Sequence, residues 1–470
     1  MSCRLASIWV LALLTCAGPS ARAQIPISKD LIPSRNSLTR LGLERHWLIV
    51  VPLSETERLV CISRSEKLFF AQASSGSLHT YEVGTGKLLW SASLGAATPL
   101  ARPVSSNSYA IFGTSGDTLT ALHRQTGHVI WKTHLGTIPT SGTICDEDRV
   151  IVGTTDGRVT AFKLREPGPM GTTKIRATPA EEWAWQTNGP IKTLPLLARH
   201  MVAFGSSDGQ VYVVMNNERT SLYRIRTGGP IGEGLGSYGT RTLLIPSADN
   251  NLYAIDLLTS NVQWVFPSAA PMDQAPLVAG EDIYCTNEGG YLSLLDPASG
   301  NVRWNTLTQG GKIIAASASR IYLRSWNNDL YIIDRGTGQI LADPAATMQR
   351  AGLNLHEHDL SMLNRYDDRL YFGTQSGVVV CLREIGAKQP RLLRDPKALP
   401  FGYIPPEGTR PTPTPPPPPA AETPAETKDE DKDKAKDEEK AKTEDKAKAK
   451  DDASKVDAAP PAAEKDENPK

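Results

Sequence analysis

A phrase of seven residues returns along this chain. GTGKLLW ends at Trp90, QTGHVIW at Trp131, LTSNVQW at Trp264 and ASGNVRW at Trp304, and a weaker GTGQILA ends at Ala342. Recurrence at fixed spacing is the signature of a repeat architecture, so the period decides the fold before composition does. An apolar residue follows each of a second set of turns (SSG, TTDG, SSDG, ADNN) and serves as an anchor. It falls at Leu78, Leu119, Val159, Val211, Leu252, Leu292, Leu330 and Val378, in steps of 41, 40, 52, 41, 40, 38 and 48 residues.

Each unit reads as strand, tight Gly/Asn/Asp turn, strand, TG-type turn, and a strand ending in an aromatic. The turn residues supply the positive φ that short hairpins need. A fourth, inner strand fits the linking segments TPLARP, LPLLAR and APLVAG. Four strands in about 40 residues is the length of a propeller blade. The expected fold is therefore all-β: an eight-bladed β-propeller of four-stranded blades. The eighth unit lacks its outer strand, whereas ERHWLIVVPL near the N-terminus supplies a spare one. Trp47 precedes Leu78 by 31 residues, close to the 29 between Trp90 and Leu119. The N-terminal strand should close the ring and leave no blade edge unpaired.

A single blade cannot bury both faces of its sheet, which explains the recurring aromatic. Trp47, Trp90, Trp131, Trp264 and Trp304 are read as docking residues between blades, with Tyr223 in the fourth unit. In the third unit an insertion displaces the position, and Trp185 is the expected substitute. Each such ring contributes on the order of 1.5–3 kcal/mol by burial.

The remaining segments read differently. Residues 1–23 form an export signal: Arg4, an apolar run from Leu5 to Cys16, and the small-residue site ARA before Gln24. Cys16 loosely resembles a lipid-modified cysteine, but Thr15 is a poor residue before one, so it reads as an ordinary member of the signal core. No later stretch is long and apolar enough to span a membrane. Residues 24–400 are assigned to the propeller and 401–470 to a tail, with the junction segment DPKALPFGYIPPEGTR expected on the propeller surface. The tail is Pro-rich (PTPTPPPPP), then Lys/Asp/Glu/Ala-rich, and cannot bury a core, so it is expected to be disordered. From Ala420 onward it holds 12 Lys against 17 Asp or Glu, inside a chain whose formal net charge is zero.

The repeat phrases resemble a known family. YAIDLLTSNVQW and LSLLDPASGNVRW are similar to the tryptophan-docking repeat of eight-bladed propellers in pyrroloquinoline-quinone (PQQ) enzymes and their non-enzymatic relatives. YIIDRGTGQIL and TYEVGTGKLLW are similar with single departures. The resemblance runs from about Trp47 to Arg383. Its non-enzymatic, BamB-like branch implies a scaffold at the periplasmic face of the outer membrane whose loops hold a protein partner, in that branch a barrel protein bearing POTRA domains. A PQQ-dependent dehydrogenase is the alternative class, and a propeller sensing a small ligand in its central funnel is a third. Those enzymes carry adjacent cysteines against the cofactor. Here Cys61, Cys145, Cys285 and Cys381 lie far apart and read as buried free thiols.

No catalytic residue or cofactor is assigned. His356 and His358 of HEHD are the weak metal candidates: two His on one strand face, with Glu357 or Asp359 adding oxygen. No third His stands near them in sequence, and a polar surface loop is the preferred reading. GLGSYG is followed by a strand rather than a helix, which argues against nucleotide binding. Scattered basic residues argue against nucleic acid. A monomer is expected, with binding through loops on one face, including the insertions near Pro167 to Glu182 and Leu353 to Asp368.

Overall fold

The computed structural model describes residues 29–169 and 172–404. The expected export signal, Cys16 and residues 405–470 lie outside the described residues. Eight four-stranded antiparallel sheets follow one another in chain order. Blade 1 consists of Leu59–Arg64, Leu68–Ala73, Ser77–Glu82 and Leu88–Ser93. Blades 2 to 7 occupy 105–134, 144–186, 196–226, 236–267, 277–307 and 312–342. Blade 8 takes three strands from 360–384 and its outer strand, Leu43–Val50, from the other end of the chain. That strand runs antiparallel to Val378–Glu384, pairing Leu43 with Glu384 and Val50 with Val378. The ring is thus closed by the N-terminal strand, as the missing eighth phrase implies.

The middle strands of each blade are buried on both faces, and the outer strand alternates. Residues such as Phe69, Phe112, Phe204, Tyr284, Tyr322 and Phe372 fill the spaces between neighbouring sheets and are fully buried. The hairpin anchors fall at one register: Leu78 faces Gln72, Val211 faces Gly205 and Leu292 faces Thr286. In blade 8 this register belongs to Val379, opposite Gly373, one residue beyond the sequence anchor Val378.

The recurring phrase is one half of a lock between blades. The Trp90 indole N–H of blade 1 donates to the Arg124 carbonyl of blade 2 at 2.9 Å. Trp264 of blade 5 reaches Pro297 at 2.8 Å, Trp304 of blade 6 reaches Arg335 at 3.2 Å, and Trp47 of blade 8 reaches Val83 at 2.9 Å. The acceptor lies three residues before the glycine of the next TG turn. That glycine has positive φ and lies directly under the indole. A Cβ on Gly127 would stand 2.5 Å from Trp90 Cε3, and one on Gly300 2.5 Å from Trp264 Cε3. Tyr223 performs the same bond, its hydroxyl reaching the Leu257 carbonyl at 2.5 Å. The turn residue after that acceptor is Ser260, with φ of 60°. The smaller phenol ring and the non-glycine turn residue thus occur together.

Blade 3 corrects the sequence reading. Trp183, not Trp185, takes the docking position. Trp183 faces Ala161 across the ladder, just as Trp131 faces Ala121. It is buried, and its indole donates to the Asn216 carbonyl at 2.9 Å. Trp185 pairs two residues along the strand with Val159, and lies 5.7 Å from the Arg219 guanidinium. The insertion before these residues extends the hairpin by added pairs and bulges. Counting along the sequence therefore slips by two, and strand alternation turns that slip into an equivalent-looking but wrong residue. Trp131 packs between Phe112 and Phe162 at ring separations of 6.1 and 6.5 Å.

Between blades 7 and 8 the aromatic is absent, and Ala342 occupies its register opposite Ile332. The helix Arg35–Arg40, capped by the Ser34 side chain, brings Leu38 and Leu41 into this gap beside Ala342, Ala351, Leu353 and Leu355. Arg320 replaces the indole's polar contact. Its guanidinium donates to the Leu41 carbonyl at 2.9 Å and packs against Gly42, φ 73°, where a Cβ would come within 2.8 Å.

All four cysteines among the described residues are free. Burial pushes the Cys61, Cys145 and Cys285 thiols up to about 12, and the Cys381 thiol higher still. Cys285 and Cys381 are buried, whereas Cys61 and Cys145, expected to be buried, are only part-buried. At pH 8 Cys285 and Cys381 should therefore react far more slowly with iodoacetamide in the native protein than in the unfolded chain, and rapid modification of these two thiols in the native state would contradict their burial.

Gly300→Ala should destabilise the ring by about 1–3 kcal/mol, because the new methyl meets Trp264 in a backbone conformation unsuited to alanine. Gly84→Ala, with open space at its Cβ and no positive φ, should stay within about 0.5 kcal/mol. Chemical denaturation midpoints of the two variants check this, and equal losses would contradict the lock.

Candidate interaction faces

Antiparallel strand order sends the chain connections to two opposite ends of the ring. One end, here the turn end, carries the TG turns and the connections between first and second strands. The other, the link end, carries the remaining hairpin turns and the links between blades.

The turn end is crossed by residues 385–403. Arg369 donates to the Ala387 and Lys388 carbonyls, and the Arg391 N–H donates to Asp368 at 3.2 Å. Asp367 and Leu392 form an antiparallel bridge. The segment continues past blade 6, where the Gly280 N–H donates to the Leu393 carbonyl, and Leu393 is buried with Tyr284, Leu323 and Tyr331. It ends on blades 4 and 5. Phe401 is buried against Ala198 and Met201, the Arg199 N–H donates to the Phe401 carbonyl, and the Gly402 N–H donates to the Thr240 carbonyl. Phe401 and Gly402, assigned to the tail on composition, thus belong to the propeller. The segment ties blade 8 to blades 4, 5 and 6 without adding a strand.

Beneath it lies the connection 362–369 of blade 8. A buried ion pair fixes it: Arg64 of blade 1 meets Asp367 at 2.9 Å, and the same guanidinium donates to the Tyr371 hydroxyl at 3.0 Å. The guanidinium also lies 4.9 Å from the Tyr366 ring. Asn364 donates to Asp367 and to the Arg369 carbonyl. Held so, the connection projects Arg365 until its guanidinium is 3.2 Å from where a Cβ on Gly234 would stand. Gly234 flanks the innermost strand of blade 5, Gly236–Tyr238, part of the GLGSYG stretch. The blade 8 connection therefore spans the axial channel.

The two expected insertions do not share one face. The first is a twisted two-stranded arm at the turn end of blade 3, formed by Arg158–Pro167 and Thr173–Gln186. Its outermost described pair is Pro167 with Thr173, and Arg176 with Glu166 forms an ion pair at 2.9 Å. The second insertion runs from the link end at Leu353 through the inner strand Leu360–Ser361 to the turn end at Asp368. The single-face expectation assumed each insertion to be one loop, whereas the second contains a blade strand.

HEHD also divides. His356 is part-exposed, 3.6 Å from Asp329. His358 is buried, so the surface-loop reading fails for this residue. Burial and then the Arg324 charge depress its pKa to about 4. Among the described residues no group of three or more His, Cys, Asp or Glu is arranged to hold a metal ion.

The link end is not crossed by a comparable segment among the described residues. Its hairpin turns use aspartates to grip the neighbouring link. Asp249 accepts from Gly228 N–H at 2.6 Å, Asn251 N–H and the Tyr253 hydroxyl. Asp208 accepts from Asn188 N–H, Gln210 N–H and the Tyr212 hydroxyl. Sequence reading treats the repeat aspartates as turn formers, and these reach across a blade boundary as well. Leu100 and Ile138, on the links from blade 1 to 2 and from blade 2 to 3, are more than half exposed, as is Trp326 of blade 7. No described helix is long and apolar enough to cross a membrane.

Known proteins share this architecture. The crystal structure of BamB from Moraxella catarrhalis superposes with a TM-score of 0.56 at 16% identity, covering 73% of this chain and 98% of that one. Saccharomyces cerevisiae Sqt1 superposes at 0.53 with 10% identity, covering 69% of this chain and 95% of that one. In sequence, the chain is 22% identical to the outer membrane protein assembly factor BamB of Shewanella oneidensis over 237 residues, 49% of each chain. It is 24% identical to the Burkholderia pseudomallei factor of the same name over 233 residues, 46% of this chain and 58% of that one. The alignments span about half the length of these two relatives. The family profile described as outer membrane protein assembly factor BamB matches residues 74–168 and 207–408, more than half of the 470 residues. This chain belongs to the BamB family of PQQ-like repeat propellers.

Proposed function

We propose that the protein is a non-catalytic scaffold of the cell envelope that holds a protein partner in outer-membrane protein assembly. The match to the BamB family over most of the ring carries this reading. The geometry supports it in a second way. A ring locked at its blade interfaces presents loops whose positions do not depend on their own sequence, which suits recognition.

The link end is the proposed docking face. Residues 385–403 lie across the turn end, whereas Leu100 and Ile138 expose apolar side chains on neighbouring links. Paired apolar residues on a rigid rim suit the centre of a protein interface. The partner is proposed to be a POTRA-bearing barrel protein. Export to the periplasm, with residues 1–23 removed, belongs to the same proposal. Residues 405–470 are proposed as a solvated tail.

The test is crosslinking in intact cells of the native host, followed by mass spectrometry of what co-purifies. A POTRA-bearing barrel protein should be recovered, with crosslinks at the link end. The double variant Leu100→Asp, Ile138→Asp should lower that yield at least tenfold and leave the thermal midpoint unchanged. Absence of any such barrel protein, or an undiminished yield from the variant, would overturn the reading.

A further inference from the structure

The boundary between blades 7 and 8 keeps a cavity where the others keep a ring. Seven boundaries carry Trp or Tyr at the docking register. Here Ala342 stands opposite Ile332. The groups that replace the aromatic fill its place only in part. A cavity of about 340 Å³ remains, walled by Leu41, Ile332, Ala342 and Ala346. The end of the helix Arg35–Arg40 bounds it on one side and the short helix Ala345–Arg350 on another. This volume is at the lower end of the range for binding pockets, roughly 300–1,000 Å³, and suits one aromatic side chain with polar groups beside it.

The charge around this cavity is one-sided. Arg40, Arg320 and Arg350 line it, and no aspartate or glutamate does. Arg320 donates to the Leu41 carbonyl at 2.9 Å and comes only within 4.0 Å of Glu384, whose carboxylate already accepts from Ser317 and Tyr322. Arg350 lies 3.7 Å from Asp343, and both are exposed to solvent. Arg40 donates to the Arg350 carbonyl at 3.3 Å and forms no ion pair among the described residues. Three like charges round one cavity attract an anion and repel a cation. Water suits the guanidinium groups but gains nothing against the apolar wall. An occupant with an apolar body and a negative group satisfies both.

We propose that this cavity docks a segment of a partner protein that presents an aromatic side chain next to Asp or Glu. The ring enters beside Ala342, on the side where the other boundaries hold their own aromatic. There it meets the planar guanidinium of Arg320, a surface on which aromatic faces stack. Arg40 and Arg350 pair with the flanking carboxylates.

A chain segment fits this place better than a free small molecule. Leu341, which lines the cavity, is 49% exposed, and Met348, in the helix that carries Ala346 and Arg350, is also exposed. Apolar surface thus continues beyond the cavity and can cover residues on either side of the ring. The chain's own tail does not supply the occupant, because residues 405–470 hold no aromatic. The site lies at the turn end, since Arg320 faces Asp334 at the base of a TG turn. It is therefore distinct from the link-end face proposed above and does not rest on the identity of the barrel partner.

The test titrates the purified protein, Gln24 to Lys470, with unlabelled end-blocked peptides in a calorimeter. The probes are Glu-Asp-Trp-Asp-Glu, Glu-Asp-Ala-Asp-Glu and Lys-Lys-Trp-Lys-Lys. The acidic aromatic peptide should bind about tenfold or more tightly than either control. Ala342→Trp gives this boundary the residue that most others carry and fills the cavity, so it should fold and lose that binding by about tenfold or more. The double variant Arg40→Glu, Arg350→Glu changes two exposed side chains. It should lose the binding to the same extent and leave the thermal midpoint unchanged. If Ala342→Trp does not fold, the double variant decides. Equal affinity for the three peptides, or affinity retained in the double variant, would overturn the proposal. So would binding to phosphatidylglycerol vesicles through the same arginines without preference for the aromatic peptide, which would make the site a lipid contact.

Discussion

The fold depends on one contact, made at six of the eight blade boundaries: an aromatic N–H or O–H of one blade bonded to a backbone carbonyl of the next, with the turn glycine under the ring at four of them. A blade alone exposes two apolar faces. Stacking blades covers those faces, but apolar packing is non-directional and leaves sliding open. The hydrogen bond adds direction, and a Trp needs a partner for its N–H once buried. The close approach at Gly127 and Gly300 fixes the distance. The TG turn and the Trp are thus two sides of one joint between successive blades, and neither is explained by its own blade.

The exceptions show what the joint supplies. Where Tyr223 replaces Trp, Ser260 replaces the turn glycine. Where the aromatic is missing, in blade 7, the helix Arg35–Arg40 and Arg320 take over. The same region receives the N-terminal strand that closes blade 8. Chain closure and the missing lock thus fall at neighbouring interfaces, and the helix Arg35–Arg40 serves both. Residues 385–403 add a further tie across the ring, anchored at Leu393 and Phe401.

Legibility in the sequence followed periodicity. The strands, the hairpin turns, the closing role of ERHWLIVVPL and six of the docking aromatics have a fixed spacing that one chain can reveal. Trp183 escaped because two tryptophans stand two residues apart after an insertion, and only the ladder register separates them. Arg320 escaped because a guanidinium replacing an indole follows no repeat. The segment around Phe401 was legible as lying on the propeller surface, but the burial of its ring was not, for a related reason. DPKALPFGYIPPEGTR has no period, and its one buried ring is fixed by contacts with residues some 200 positions earlier. The aspartate turns were legible as turns, but their grip on the neighbouring links needs the assembled ring.

A scaffold reading asks for rigidity at the seam, where the strand Leu43–Val50 pairs with Val378–Glu384. Trp47 is the joint there, its indole bonded to Val83 and packed near Phe69 and Tyr371. The most direct measurement is hydrogen–deuterium exchange of Trp47→Ala beside the unaltered protein. Protection should fall on both sides of the seam, in the strand Leu43–Val50 and in the 83–87 turn of blade 1, together with a loss of about 3–5 kcal/mol in stability. Unchanged protection of the 83–87 turn, with exchange faster only in the substituted strand, would contradict a ring held together by these joints.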